Sequence, residues 1–203
     1  MNNERNLKRE ELTVKDLVTT GIFTALFFIF TIIGGLPFAP NPVLTFYMPI
    51  GSVLLCGPIF LLLVAKVPKR WAITTLGIIV GLIFFATGMH WAMDLGYVVM
   101  GFIADLAAGT KGYRSVKMNV LSYGLLCLGA TGTYIVFFLN PSAWISTMLK
   151  NGTEQSYIDT MTASAADWML AVILLGTAAA AIASGWIGTK LLKRQFERAG
   201  ITA

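Results

Sequence analysis

The sequence predicts an all-α integral membrane protein: one domain, a bundle of six transmembrane helices, with both termini in the cytoplasm. Three observations predict it. The 203-residue chain is 56% hydrophobic and only 12% charged, with a mean hydropathy of +0.74, whereas a soluble domain carries about 25% charged residues. Its apolar runs come at lengths near the ~20 residues that cross a bilayer. All its Lys and Arg residues but Lys150 fall in the two tails and alternate connections between those runs.

Residues 1–15 form a polar cytoplasmic tail. Thr13 and Asp16 have the spacing of a capping box, which starts the first helix there. The first span, 16–34, has no charge after Asp16. It is too long for the core of a secretory signal, and no small-x-small cleavage site follows it. Gly21 and Ala25 lie four apart on one face, with Leu17 below, Ile29 above, and Thr20 and Thr24 flanking. Small residues at this spacing let a second helix approach closely. On spacing alone, that helix can belong to this bundle or to another protein.

Residues 34–45 hold three prolines and two glycines and form a stiff loop. The second span, 46–65, contains Pro58, which lacks a backbone donor and predicts a kink. A basic turn at 66–70 leads to the third span, 71–89, with Gly77 and Gly81 in GxxxG spacing. His90-Trp91-Ala92-Met93-Asp94 interrupts the apolar run, and a short fourth span covers 95–108. A second basic turn precedes the fifth span, 116–139. Residues 140–166 are the longest loop, part of it a short amphipathic helix at the surface. The sixth span, 167–192, repeats small residues at Gly176, Ala180, Ser184 and Gly188, another close-packing face.

Six spans put both termini on one side. Every Lys and Arg except Lys150 falls in the N-terminal tail, the two basic turns or the C-terminal tail. That side is the cytoplasmic one by the positive-inside rule, which makes this a multi-pass protein of the cell membrane. The same distribution explains the net charge of +5 without nucleic acid. Cys56 and Cys127 lie in apolar runs and read as small buried residues, not as a disulfide or metal framework.

No P-loop, H-E-x-x-H or G-x-S-x-G pattern is present, and there is one histidine. The expectation is therefore no enzyme, no catalytic residue, no metal and no cofactor. Asp105 lies near the cytoplasmic end of span four, where a carboxylate opposes the helix dipole. A cation is expected beside it, from Lys111 or Arg114. Two other classes remain as alternatives. A stand-alone secondary transporter calls for an internal repeat and midplane ionisable groups. An intramembrane enzyme calls for paired catalytic groups, and His90 with Asp94 supplies no nucleophile.

The remaining polar and aromatic residues collect on the outer side. Trp and Tyr there can form an interfacial belt. Aromatic walls with a few polar groups also make a small-molecule site. The expected binding residues are Asn41, Tyr47, His90, Trp91, Asp94, Asn140, Trp144 and Asp167. His90 and Asp94 share a face if their segment is helical. On this side Asp94, Glu154, Asp159 and Asp167 face Lys150 alone, and no arginine is available to fork a carboxylate or phosphate. The ligand is expected to be small, aromatic, and neutral or weakly basic.

The opening L-T-V-K-D-L-V-T-T-G-I-F-T-A, residues 12–25, resembles the start of a family of S components of energy-coupling factor (ECF) vitamin transporters. That family is linked to pyridoxine or hydroxymethylpyrimidine. The layout of the whole chain is similar too: six short spans, a proline-rich first outer loop, a long last one, and no ATPase motif. The resemblance implies capture of a vitamin from outside, under loops one, three and five. It implies docking onto a membrane scaffold, the T component, driven by two ABC-type ATPases that consume the ATP. The docking face of such proteins includes Ala-x-x-x-Ala on helix one, where this chain has Gly21 and Ala25.

Overall fold

The computed structural model describes residues 11–193 and 197. Among these residues the chain is all helical, with no strand. Helix α1 spans Val14–Gly35, and a 3-10 turn, Leu44–Tyr47, leads into α2, Met48–Leu54. Then come α3, Gly57–Lys66, α4, Ala72–Ala86, and α5, Trp91–Gly109. Helix α6, Val116–Leu128, runs through a 3-10 turn into α7, Gly132–Leu139. Helices α8, Pro141–Lys150, and α9, Gln155–Ser164, precede α10, Met169–Leu191.

Five segments are long and apolar enough to cross a membrane: Val14–Gly35, Leu44–Lys66, Trp91–Gly109, Val116–Leu139 and Met169–Leu191. The third expected span is the shorter α4, whose 15 residues extend only ~22 Å at 1.5 Å per residue.

The capping box of α1 is formed: Thr13 N–H donates to Asp16 at 2.8 Å and Asp16 N–H to Thr13 at 3.2 Å. Lys69 also pairs with Asp16 at 2.9 Å, tying the start of α1 to the turn before α4.

Pro58 does more than kink its span. The helix breaks at Leu55–Cys56, and the freed backbone groups are taken up by side chains from other helices. Tyr123 Oη donates to the Val53 carbonyl. Ser184 Oγ donates to the Leu54 carbonyl at 2.6 Å and accepts from Gly57 N–H at 3.2 Å. A membrane-buried backbone tolerates a break only where such partners exist.

Both small-residue patterns in later spans are internal packing faces. A Cβ on Gly77 or Gly81 of α4 would lie 2.5 or 2.6 Å from a carbonyl oxygen of α5, Tyr97 or Asp94. On α10, Gly176 meets Ile50 and Gly188 meets Pro58. Helix α1 packs on α2, α3 and α4; α5 bridges α4 and α6; α10 closes the bundle against α6, α2 and α3.

Three expectations are corrected. The segment around His90 is not a break reaching to Asp94: α5 already begins at Trp91. His90 caps it through its side chain, and Asp94 sits in the first turn, where the helix dipole favours a carboxylate. Polar capping residues thus looked like an interruption. Residues 140–166 contain two helices, not one. Asp105 has neutral donors instead of a cation: Thr74 N–H and Oγ1, each at 3.0 Å, and Tyr113 Oη at 2.5 Å. Thr74 lies in the first turn of α4, where backbone N–H groups lack helical partners, so one helix start compensates the carboxylate near another helix's end. Lys111 and Arg114 are exposed.

Candidate substrate-binding cavity

The helix directions bring one set of ends together opposite the two basic turns. There the C-terminal ends of α1 and α4, the N-terminal ends of α2 and α5, and the helices α7 to α9 line an open-mouthed cavity of about 320 Å³. That is within the range of small-molecule sites, ~300–1,000 Å³. Tyr97 and Phe84, stacked at 5.5 Å, contribute to its wall from α5 and α4. Five of the nine methionines line it: Met48, Met89, Met93, Met148 and Met161.

Helices α8 and α9 are tied over the cavity by hydrogen bonds to distant segments. Trp144 Nε1 donates to Thr133 at 2.9 Å, Tyr157 Oη to the Ala39 carbonyl at 2.9 Å, and Asn151 to the Gly88 carbonyl at 2.9 Å. Tyr134 Oη donates to the Thr45 carbonyl, joining α7 to the loop after α1. Behind this wall Phe46, Phe137 and Trp144 form an aromatic cluster.

His90 and Trp144 both line the cavity. Their rings lie within 17° of parallel, with centroids 6.5 Å apart. His90 is 2% exposed; its Nδ1 accepts from Ala92 N–H at 3.2 Å, and its Nε2 has no partner. Burial pushes the imidazole pKa below its ordinary value, which keeps the ring neutral at physiological pH. Glu154 is the charged residue of the lining; no Lys or Arg contributes to it.

The other expected residues lie off the wall. Asp94 is buried, with both carboxylate oxygens unpartnered, but is not part of the lining. Trp91 is exposed beside His90. Tyr47 packs against the aromatic cluster. Asn41 and Asn140 are engaged locally: Asn41 Oδ1 accepts from Val43 and Leu44 N–H, and Asn140 Oδ1 accepts from Ala143 N–H. Asp167 is exposed before α10. Tyr97, Thr133, Tyr134, Tyr157, Glu154 and the methionines were not in the expected set. Tyr157 and Glu154 sit in the long loop the sequence marked; the methionines gave no periodic signal.

On α1, Gly21 has no atom within 4 Å of a Cβ built on it. Ala25 is exposed, as are Leu17 and Ile29. Thr20 and Thr24, which flank this face, are buried towards the bundle. This face is therefore not consumed by packing within the chain.

The model of a family described as a hypothetical bacterial integral membrane protein (Trep_Strep) matches residues 14–198. The chain belongs to the Trep_Strep family. Comparison with curated proteins and with solved structures gives no match. The family description and the five apolar helices agree: this Trep_Strep chain is a multi-pass membrane protein.

Proposed function

We propose that this chain is the substrate-binding S component of an ECF-type transporter. It takes up a small aromatic vitamin, of the pyridoxine or hydroxymethylpyrimidine kind, at the outer face. One observation carries the reading: the open-mouthed aromatic cavity, free of lining cations, at the end of the bundle away from the basic turns. With α4 as the sixth span, the termini and basic turns lie in the cytoplasm and the cavity opens outward. Glu154 and the absence of lining cations favour a neutral or weakly basic ligand over an acidic one. The chain carries no ATP-binding motif, so a T component and two ABC-type ATPases supply the energy. The open Gly21/Ala25 face of α1 fits close approach by a scaffold helix.

The test is purification of the chain from cells co-expressing a T component and the ATPases, with mass spectrometry of the bound small molecule. The expected result is a four-subunit membrane complex carrying a neutral or weakly basic heteroaromatic compound. An acidic vitamin such as biotin or pantothenate would overturn the ligand class. Failure of the partners to co-purify would overturn the S-component assignment.

A further inference from the structure

Among the described residues, Thr20, His90, Asp94, Asn119 and Thr177 carry buried polar atoms without a partner, and of these His90 alone lines the cavity. Its two nitrogens are not equivalent. Nδ1 accepts the Ala92 N–H as the cap of α5, so its lone pair is committed. A neutral imidazole carries one proton, and that proton is therefore on Nε2. His90 can offer a ligand only a donor, and it cannot reverse roles without releasing the helix cap.

Other groups on the wall have the opposite bias. Tyr134 and Tyr157 give their hydroxyl protons to the carbonyls of Thr45 and Ala39, which leaves them lone pairs. Glu154, when ionised, is an acceptor only. Thr133 already accepts from Trp144 and keeps one rotatable proton.

Resting on the reading of this cavity as the vitamin site, we propose that His90 is its specificity-determining residue. Its Nε2–H donates to the lone pair of an unprotonated ring nitrogen, while exocyclic amino or hydroxyl groups of the same ring donate to Tyr134, Tyr157 and Glu154. The ligand class is thus an amino- or hydroxy-substituted nitrogen heteroaromatic. A ring with C–H at that place leaves the buried N–H unpaired. Sites built to hydrogen-bond reject such analogues far more strongly than they reject a change of size.

Calorimetric titration of the purified full-length chain with two probes tests this. One is 4-amino-5-hydroxymethyl-2-methylpyrimidine; the other is its benzene isostere, with both ring nitrogens replaced by C–H. The pyrimidine should bind at least about tenfold more tightly, although the isostere is the more hydrophobic. In His90→Phe the ratio should fall to about one. His90→Asn, which keeps a capping oxygen and an N–H, should retain a preference and separates loss of the donor from loss of the fold. Equal binding of both probes by the wild type, or an undiminished ratio in His90→Phe, overturns the role of His90 while leaving the cavity as the site. Binding of neither probe by the wild type removes the proposed ligand class, and this inference with it.

Discussion

Ser184 shows how much one hydroxyl can hold. It serves two backbone groups on either side of the break between α2 and α3, Leu54 C=O and Gly57 N–H. Ser184→Ala leaves the buried Gly57 N–H and the part-buried Leu54 carbonyl without this partner, at a cost on the order of 1–3 kcal/mol for the buried group. The thermal unfolding midpoint of the detergent-solubilised protein should fall measurably, and an unchanged midpoint would show that the backbone repairs itself. Such roles were only half legible. Ser184 was visible as a small residue in a stripe, but its partner break lies more than a hundred residues away in sequence. Asn41 and Asn140 mislead in the other direction. The side-chain oxygens that made them look like ligand contacts are occupied by neighbouring backbone N–H groups. His90 could be found because it is the one histidine of the chain, and Trp144 because it is an aromatic residue of the long outer loop. Tyr134 could not, because its place on the wall depends on a hydrogen bond to a distant part of the chain.

At the level of elements, the same small-residue spacing serves opposite purposes. Gly21 on α1 faces open space, whereas Gly81 on α4 sits against the Asp94 carbonyl of α5. Spacing alone could not separate these cases, since it describes one helix and not its neighbour. Substitution can. Gly81→Leu should force α4 from α5, at a cost of about 1–3 kcal/mol or more, and lower the melting temperature of the isolated chain. Gly21→Leu should leave melting and ligand binding unchanged while abolishing assembly with the T component and vitamin uptake. If Gly21→Leu instead destabilises the isolated chain and spares assembly, the open face of α1 is not the docking surface. The start of α1 was legible, because its capping box acts locally. The division of residues 140–166 into two helices was less so, since α8 and α9 are short and held mainly by contacts to distant segments.

Across the whole molecule, the all-helical membrane class was the most legible property, because it follows from composition, which needs no knowledge of contacts. The orientation expected from charge placement is open to direct measurement. Lys150 and Lys111 are both exposed, and the native Cys56 and Cys127 are buried. Lys150→Cys should react with an impermeant thiol reagent in intact cells, and Lys111→Cys only after permeabilisation. The reverse pattern would invert the orientation and place the cavity on the cytoplasmic side.

The methionine lining of the cavity gives the site two stiffnesses. Thioether chains are unbranched and polarisable, so they yield to the outline of whatever they enclose, while the hydrogen-bonded polar groups beside them stay put. If the proposed ligand binds there, such a site would tolerate an added methyl and reject a misplaced nitrogen. It also ages in a particular way. Oxidation of one of these sulfurs would replace a yielding apolar contact with a fixed dipole, hardening the mould where it was meant to give. On the proposed transport reading, repair of sulfoxides would then matter to sustained uptake as much as the supply of ATP.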